Sequence, residues 1–148
     1  MLKKMKTLIR AKDTCVLATS KDNQPHCSLM SYITDDACSR IYIMSLKDTM
    51  KYRNLKTNGS VSILIDTRDE GDKQRSGHSQ ILALTIKGFF EEIIDITAKE
   101  EITRRLLSRH PSLSPLAARP DSEVFAIRIQ SLELLEGVFE AKFALMDQ

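Results

Sequence analysis

Residues 24–55 read Gln-Pro-His-Cys-Ser-Leu-Met-Ser-Tyr-Ile (24–33), Thr-Asp-Asp-Ala-Cys-Ser (34–39), Arg-Ile-Tyr-Ile-Met-Ser (40–45) and Leu-Lys-Asp-Thr-Met-Lys-Tyr-Arg-Asn-Leu (46–55). The first and third pieces are apolar and β-branched with turn signals around them, which predicts two strands. The fourth has helical spacing, with Met50, Asn54 and Leu55 along one side. That order brings Ser45, Asp48 and Thr49 to the start of a helix, with Lys51 in its first turn. Free backbone N–H groups, two hydroxyls and a cation make a seat for a phosphate. Ser, Asp and Thr are also the ordinary N-cap residues, and capping alone accounts for these residue types.

The totals narrow the classes. With 148 residues the chain is expected to form one domain, 1–148, large enough to bury a core. A net charge of +2 and an aromatic content of 5% argue against nucleic-acid binding, which needs a basic surface and stacking rings. No apolar run approaches the roughly 20 residues of a membrane-spanning helix. The basic start, Met-Leu-Lys-Lys-Met-Lys, leads into no long apolar region, so cytoplasmic residence is expected. Cys15, Cys27 and Cys38 show no Cys-x-x-Cys spacing, and an odd count leaves one unpaired, which favours reduced thiols. His26, His78 and His110 are scattered, so no metal site is expected.

Outward from the central stretch, residues 2–12 place Leu2, Met5, Leu8 and Ile9 on one helical face with lysines opposite. Residues 14–20 and 26–33 are strands around the polar turn 21–25. With 40–45 they read as an antiparallel meander. The helix 49–56 is expected to stop at Thr57-Asn58-Gly59-Ser60 with a left-handed cap. Residues 61–65 form a strand, and 66–80 a long charged loop in which Arg68, Lys73 and Arg75 could reach an anion. Residues 81–94 give the longest strand signal, broken at Gly88, as a barrel corner requires. Thr97-Ala-Lys-Glu100 reads as a capping box opening a helix to about His110, with Ile102, Leu106 and Leu107 inward. Strands at 123–135 and 138–145 close the pattern. Six or seven antiparallel strands with peripheral helices need closure or a partner to protect their edges, and a small dimeric barrel meets that need.

The ordered set of Gln24-Pro25, Ile41-Tyr42-Ile43-Met44-Ser45, residues 48–55, residues 58–65 and Leu84-Thr85-Ile86-Lys87-Gly88 resembles the pyridoxamine 5′-phosphate oxidase-like FMN-binding split-barrel family. The resemblance spans residues 5–137, and the order rather than any single motif carries it. It implies a mainly β chain, a six-stranded antiparallel split barrel, paired as a homodimer with FMN at the subunit interface. Carried over, Ser28, Leu29, Met30 and Ser31 would run beside the isoalloxazine ring. Met44 and Ser45 would lie near the ribityl chain and phosphate, and Thr49, Met50 and Lys51 would seat the phosphate. Two family cations are replaced here, a strand-two arginine by Ser28 and a basic residue before the lysine by Met50. The missing charge is expected from Arg53, Arg68, Arg75 or the partner chain. The family's C-terminal substrate signature is also absent, since residues 137–145 carry one cation, Lys142. Pyridoxamine phosphate oxidation itself is therefore not expected.

The resulting reading is an FMN-dependent oxidoreductase of unassigned substrate. Flavin chemistry of this kind requires no protein acid or base, so no catalytic residue is named. His26 near the ring reads as structural. The alternative is a barrel that binds or senses flavin or haem without turnover.

Overall fold

A computed structural model describes residues 1–67, 82–137 and 140–146 of the chain. Helix α1 (Leu2–Ala11) buries Met5, Leu8 and Ile9 and turns its lysines outward, as its spacing predicts. Strands β1 (Thr14–Lys21) and β2 (Gln24–Ser31) form a hairpin closed by Asp22 and Asn23, at φ 51° and 63°. Two consecutive positive-φ residues match the right-handed twist of the strands, and Asp and Asn tolerate that conformation.

The expected meander stops there. β3 (Ile33–Thr34) and β4 (Arg40–Leu46) pair with each other, and β4 then pairs with β7 (Ser122–Glu136) rather than with β2. The connection explains the change. The strand breaks at Tyr32, whose N–H donates to the Asp13 carbonyl, and the Asp35 carboxylate then closes the β3–β4 turn by accepting from Ser39 N (2.7 Å), Ser39 Oγ (2.6 Å) and Arg40 N (3.0 Å). With β5 (Ser60–Asp66) and β6 (Leu82–Glu92), the path is β2-β1-β5-β6-β7-β4-β3. β2 and β4 approach without pairing, so six of the eight described strands, β2 to β4 along this path, curl into a split barrel with the two-residue β3 at the edge of β4. β8 (Glu140–Leu145) pairs with the second half of β7.

The bend in β6 falls where the glycine predicts it, with the register to β7 shifting between Lys87 and Gly88. A Cβ on Gly88 would lie 2.4 Å from the Arg128 carbonyl oxygen and 2.9 Å from Ile127 Cγ2. β7, at 15 residues, is longer than β6, contrary to the sequence signal.

Inward positions of the strands, among them Leu17, Ile41, Ile63, Leu84 and Phe125, fill the barrel. A second core joins Met44 and Val124, on the outer face of β4 and β7, to Ile102 and Leu106 of α3 (Ile96–Arg109). Leu107 is half-buried rather than inward. α3 is capped by Asp95, whose carboxylate accepts from Thr97 N, so the helix begins before the expected capping box. α2 (Met50–Thr57) ends in extended backbone at Asn58, φ −138°, rather than in a left-handed cap. A short helix, α4 (Ser114–Ala117), leads into β7. Among the described residues no helix is long and apolar enough to cross a membrane. Arg68, Lys73 and Arg75 lie outside the described residues.

Candidate functional site

The split between β2 and β4 is where the start of α2 sits, and the predicted seat residues gather there. Thr49 is the N-cap, its Oγ1 accepting from Tyr52 N at 3.3 Å. Ser45 Oγ lies 3.2 Å from Thr49 Oγ1, and each hydroxyl is 2.9 Å from the Leu46 carbonyl oxygen. The two hydroxyls thus brace the turn, as the capping reading requires. Capping leaves the N–H groups of Met50 and Lys51 without an acceptor among the described residues.

Lys51 has a different environment from an ordinary surface lysine. It is half-buried, and no carboxylate pairs with it among the described residues. Burial pulls its ammonium below the usual lysine range. Asp48, the one acid of this turn, is instead 2.6 Å from Arg53, so Arg53 does not supply spare charge. Two free N–H groups beside an unpaired ammonium fit a phosphate.

The remaining predicted residues divide. Ser28 and Met30 lie opposite the buried Leu17 and Cys15 and face inward toward the split, half-buried. Leu29 faces outward and is 77% exposed. Ser31 is half-buried at the end of β2. β2 pairs along one edge only, so alternate backbone N–H and C=O groups of residues 28–31 point into the gap. Met44 is not gathered with them, because its side chain is packed beneath α3. Met50 stands 53% exposed at the helix start. His26, half-buried on β2, lies across from Thr19, and Thr19 Oγ1 accepts from Asn54 Nδ2 at 3.1 Å, both residues being buried. Among the described residues no group of His, Cys, Asp or Glu could hold a metal.

One cleft escaped the sequence reading. Just beyond β2, Ile33 and Thr34 open a space of about 630 Å3 lined by Arg10, Arg104, Arg105 and Arg109. Arg105 donates to the Thr34 carbonyl oxygen (2.9 Å), Arg109 to those of Lys12 (2.9 Å) and Arg10 (3.2 Å), and Arg10 to that of Asp36 (3.2 Å). Three guanidiniums thus have carbonyl partners but no carboxylate among the described residues, while Arg104 is paired with Glu101. Arginines at positions 104, 105 and 109 look like the solvated face of a helix in sequence. Only the placing of α1 and α3 beside β3, with Arg109 reaching the end of α1, turns them into a cationic wall.

A protein-family profile, Pyridoxamine 5′-phosphate oxidase, matches residues 1–136. No curated protein matches the chain. Among solved structures, a FAD-binding protein from Mesorhizobium loti is 21% identical, with 93% of this chain and 96% of that one covered at a TM-score of 0.71. The haem storage protein of Vibrio cholerae is 17% identical over 88% of this chain and 91% of that one, with a TM-score of 0.70. A haem-binding protein from Mycobacterium smegmatis is 17% identical over 95% of this chain, with a TM-score of 0.75. The chain spans 56% of the length of that last protein. At these identities the likeness shows the fold alone.

Proposed function

We propose that this chain, a member of the pyridoxamine 5′-phosphate oxidase family, binds FMN with its phosphate at the start of α2 and acts as a flavin-dependent oxidoreductase. The observation that carries this reading is the half-buried Lys51 ammonium, which has no carboxylate partner among the described residues and stands beside two N–H groups without an acceptor among them. Bound FMN supplies the hydride chemistry. The protein's part is to bind and orient. Thr49 holds the first turn of α2 in place, Lys51 neutralises phosphate charge, and the open edge of β2 offers backbone groups to the ring's pyrimidine edge.

The seat is half a site. Met50 and Leu29 are exposed on the single chain, which supports a homodimer that covers them and completes the pocket. The arginine cleft opens two residues beyond Ser31, and its three guanidiniums would hold the anionic end of a substrate. Neutral Ser28 and Met50 favour a second reading, flavin binding without turnover, because each removes a cation from the phosphate seat. The three unpaired thiols agree with cytoplasmic residence, which cell fractionation would overturn by finding the protein elsewhere.

The deciding experiment saturates the protein with FMN, desalts it and records the absorbance. Flavin bands at about one per chain are expected, and a colourless protein would sink the proposal. Anaerobic bleaching by reduced nicotinamide then separates an oxidoreductase from a carrier. Lys51→Ala is expected to weaken FMN by about 10- to 150-fold, the 1.5–3 kcal/mol of one charge-assisted bond.

A further inference from the structure

Tyr52 follows Lys51 directly but diverges from it around α2, into the body of the protein. Its ring stands edge-on to Phe90 (centroids 6.0 Å apart) and tilted against Phe125 (6.1 Å). The residue is only 7% exposed, yet its hydroxyl has no hydrogen-bond partner among the described residues. Tyr32, which is fully buried, donates to the Ile9 carbonyl oxygen at 2.6 Å. An enclosed tyrosine hydroxyl such as that of Tyr32 needs a partner within the chain, whereas the Tyr52 hydroxyl is not among the buried polar atoms left unpaired and is open to a ligand or solvent. It opens on a cavity of about 390 Å3 between α2, the start of β7 and the β6–α3 connection. This volume lies in the range of small-molecule sites, about 300–1,000 Å3.

The cavity has an apolar side and a charged side. Phe125 and Ile93 line the first, and Ile94, 85% exposed, stands at its rim. On the second, Glu123 lies between two ammonium groups, Lys99 Nζ at 2.9 Å and Lys47 Nζ at 3.8 Å. Lys56 is paired with Glu92. Two lysines around one carboxylate leave a net charge of one, at the point where a polar head would meet the Tyr52 hydroxyl. A smaller adjoining cleft shares Lys47, Lys99 and Glu123, so both ammonium groups are reachable from outside.

We propose that this cavity is a second ligand site, separate from the flavin seat, for a small aromatic monocarboxylate. The ring would lie against Phe125 and Tyr52, and the carboxylate between Lys47 and Lys99 with a hydrogen bond from the Tyr52 hydroxyl. The single uncompensated charge matches a monoanion, and the aromatic floor asks for an apolar body that phosphate lacks. Burial and the Glu123 charge both push the Tyr52 hydroxyl up, so it stays protonated and able to donate at neutral pH. The site rests on no assumption about flavin, but α2 carries residues of both sites, so occupancy of one would bear on the other.

The test is a titration of the full chain, without flavin, followed by amide NMR, with benzoate, benzyl alcohol and inorganic phosphate as probes. Benzoate is expected to give saturable shifts at Tyr52, Lys99 and Glu123, with benzyl alcohol and phosphate at least about tenfold weaker. Tyr52→Phe keeps the ring and removes the hydroxyl. It is expected to weaken benzoate about tenfold, the worth of one hydrogen bond to a charged group, and Lys99→Gln should also weaken it. The unshifted remainder of each variant's spectrum reports that the fold is kept. Absent shifts, equal affinity for phosphate, unaltered binding by Tyr52→Phe, or shifts centred on Arg105 and Arg109 would each overturn the proposal.

Discussion

Asp35 shows how one side chain closes a turn between strands. Burial by itself would raise its pKa. The hydrogen bonds from the Ser39 hydroxyl and the Arg40 and Ser39 N–H groups outweigh burial and hold the carboxyl below its ordinary 3.8. A carboxyl depressed in the folded state stabilises that state above its unfolded pKa. It loses the contribution as pH falls through the folded value. Wild type is therefore expected to exceed Asp35→Asn in urea midpoint at pH 6, the gap closing below about pH 4. A gap independent of pH would mean that the turn is held by shape rather than by the ionised carboxylate. At the same scale, Lys51 and Tyr52 are neighbours in sequence that diverge around α2, one toward the proposed phosphate seat and the other into a cavity.

Among the elements, β6 and β7 carry the curvature of the sheet. Their pairing crosses a register shift at Gly88, where the partner backbone comes too close for any Cβ. Gly88→Ala must push the Arg128 carbonyl away or straighten the bend, and is expected to cost about 2–3 kcal/mol. Chemical denaturation measures it, and a loss under about 0.5 kcal/mol, the level of a surface change, would show that the bend does not need the glycine. α2 is the second decisive element. Thr49 caps it, and Asn54 ties it to Thr19 of β1, so the proposed phosphate seat stands on a helix pinned to the barrel wall.

For the whole molecule, the outward face of β2, β1 and β5 is the surface left to account for. Register aligns Leu29, Val16 and Leu64 in one row and Cys27, Ala18 and Ser62 in the next. Leu29 and Leu64 are 77% and 40% exposed, and the two rows contain no charge. A second copy packed there would give the homodimer proposed to complete the flavin site. Leu64→Glu is expected to reduce the mass in light scattering from twice 16.8 kDa to 16.8 kDa. Cys27, exposed on that face, should react with a thiol reagent in the variant and resist it in the dimer. Cys15, pushed up to about 12 by burial, and Cys38, buried as well, should stay unreactive in both. A wild-type mass of one chain would remove the shared site.

Much of this protein was legible in its sequence, because the properties concerned are local. Alternation of Ile41, Ile43 and their neighbours marks strands, the period of Met5, Leu8 and Ile9 marks α1, and Gly88 marks the bend. The helix start at Thr49, with Lys51 in its first turn, was equally plain, since capping depends on residues within one turn. The ordered set of these signals led to the split barrel. Tertiary structure alone decided which strands pair. Short turns suggest a meander, but the chain breaks at Tyr32 and β4 pairs with β7, because pairing depends on where a chain is aimed rather than on how near it lies in sequence. It also decided which charges are answered. Arg53 is matched by Asp48, and Lys51 by no carboxylate among the described residues. Arg105 and Arg109 become one wall of a cleft with Arg10, and the Tyr52 hydroxyl meets a cavity instead of a partner. Electrostatic pairing and enclosure depend on distances between segments far apart in the chain, and those distances exist only once the sheet has closed around its core.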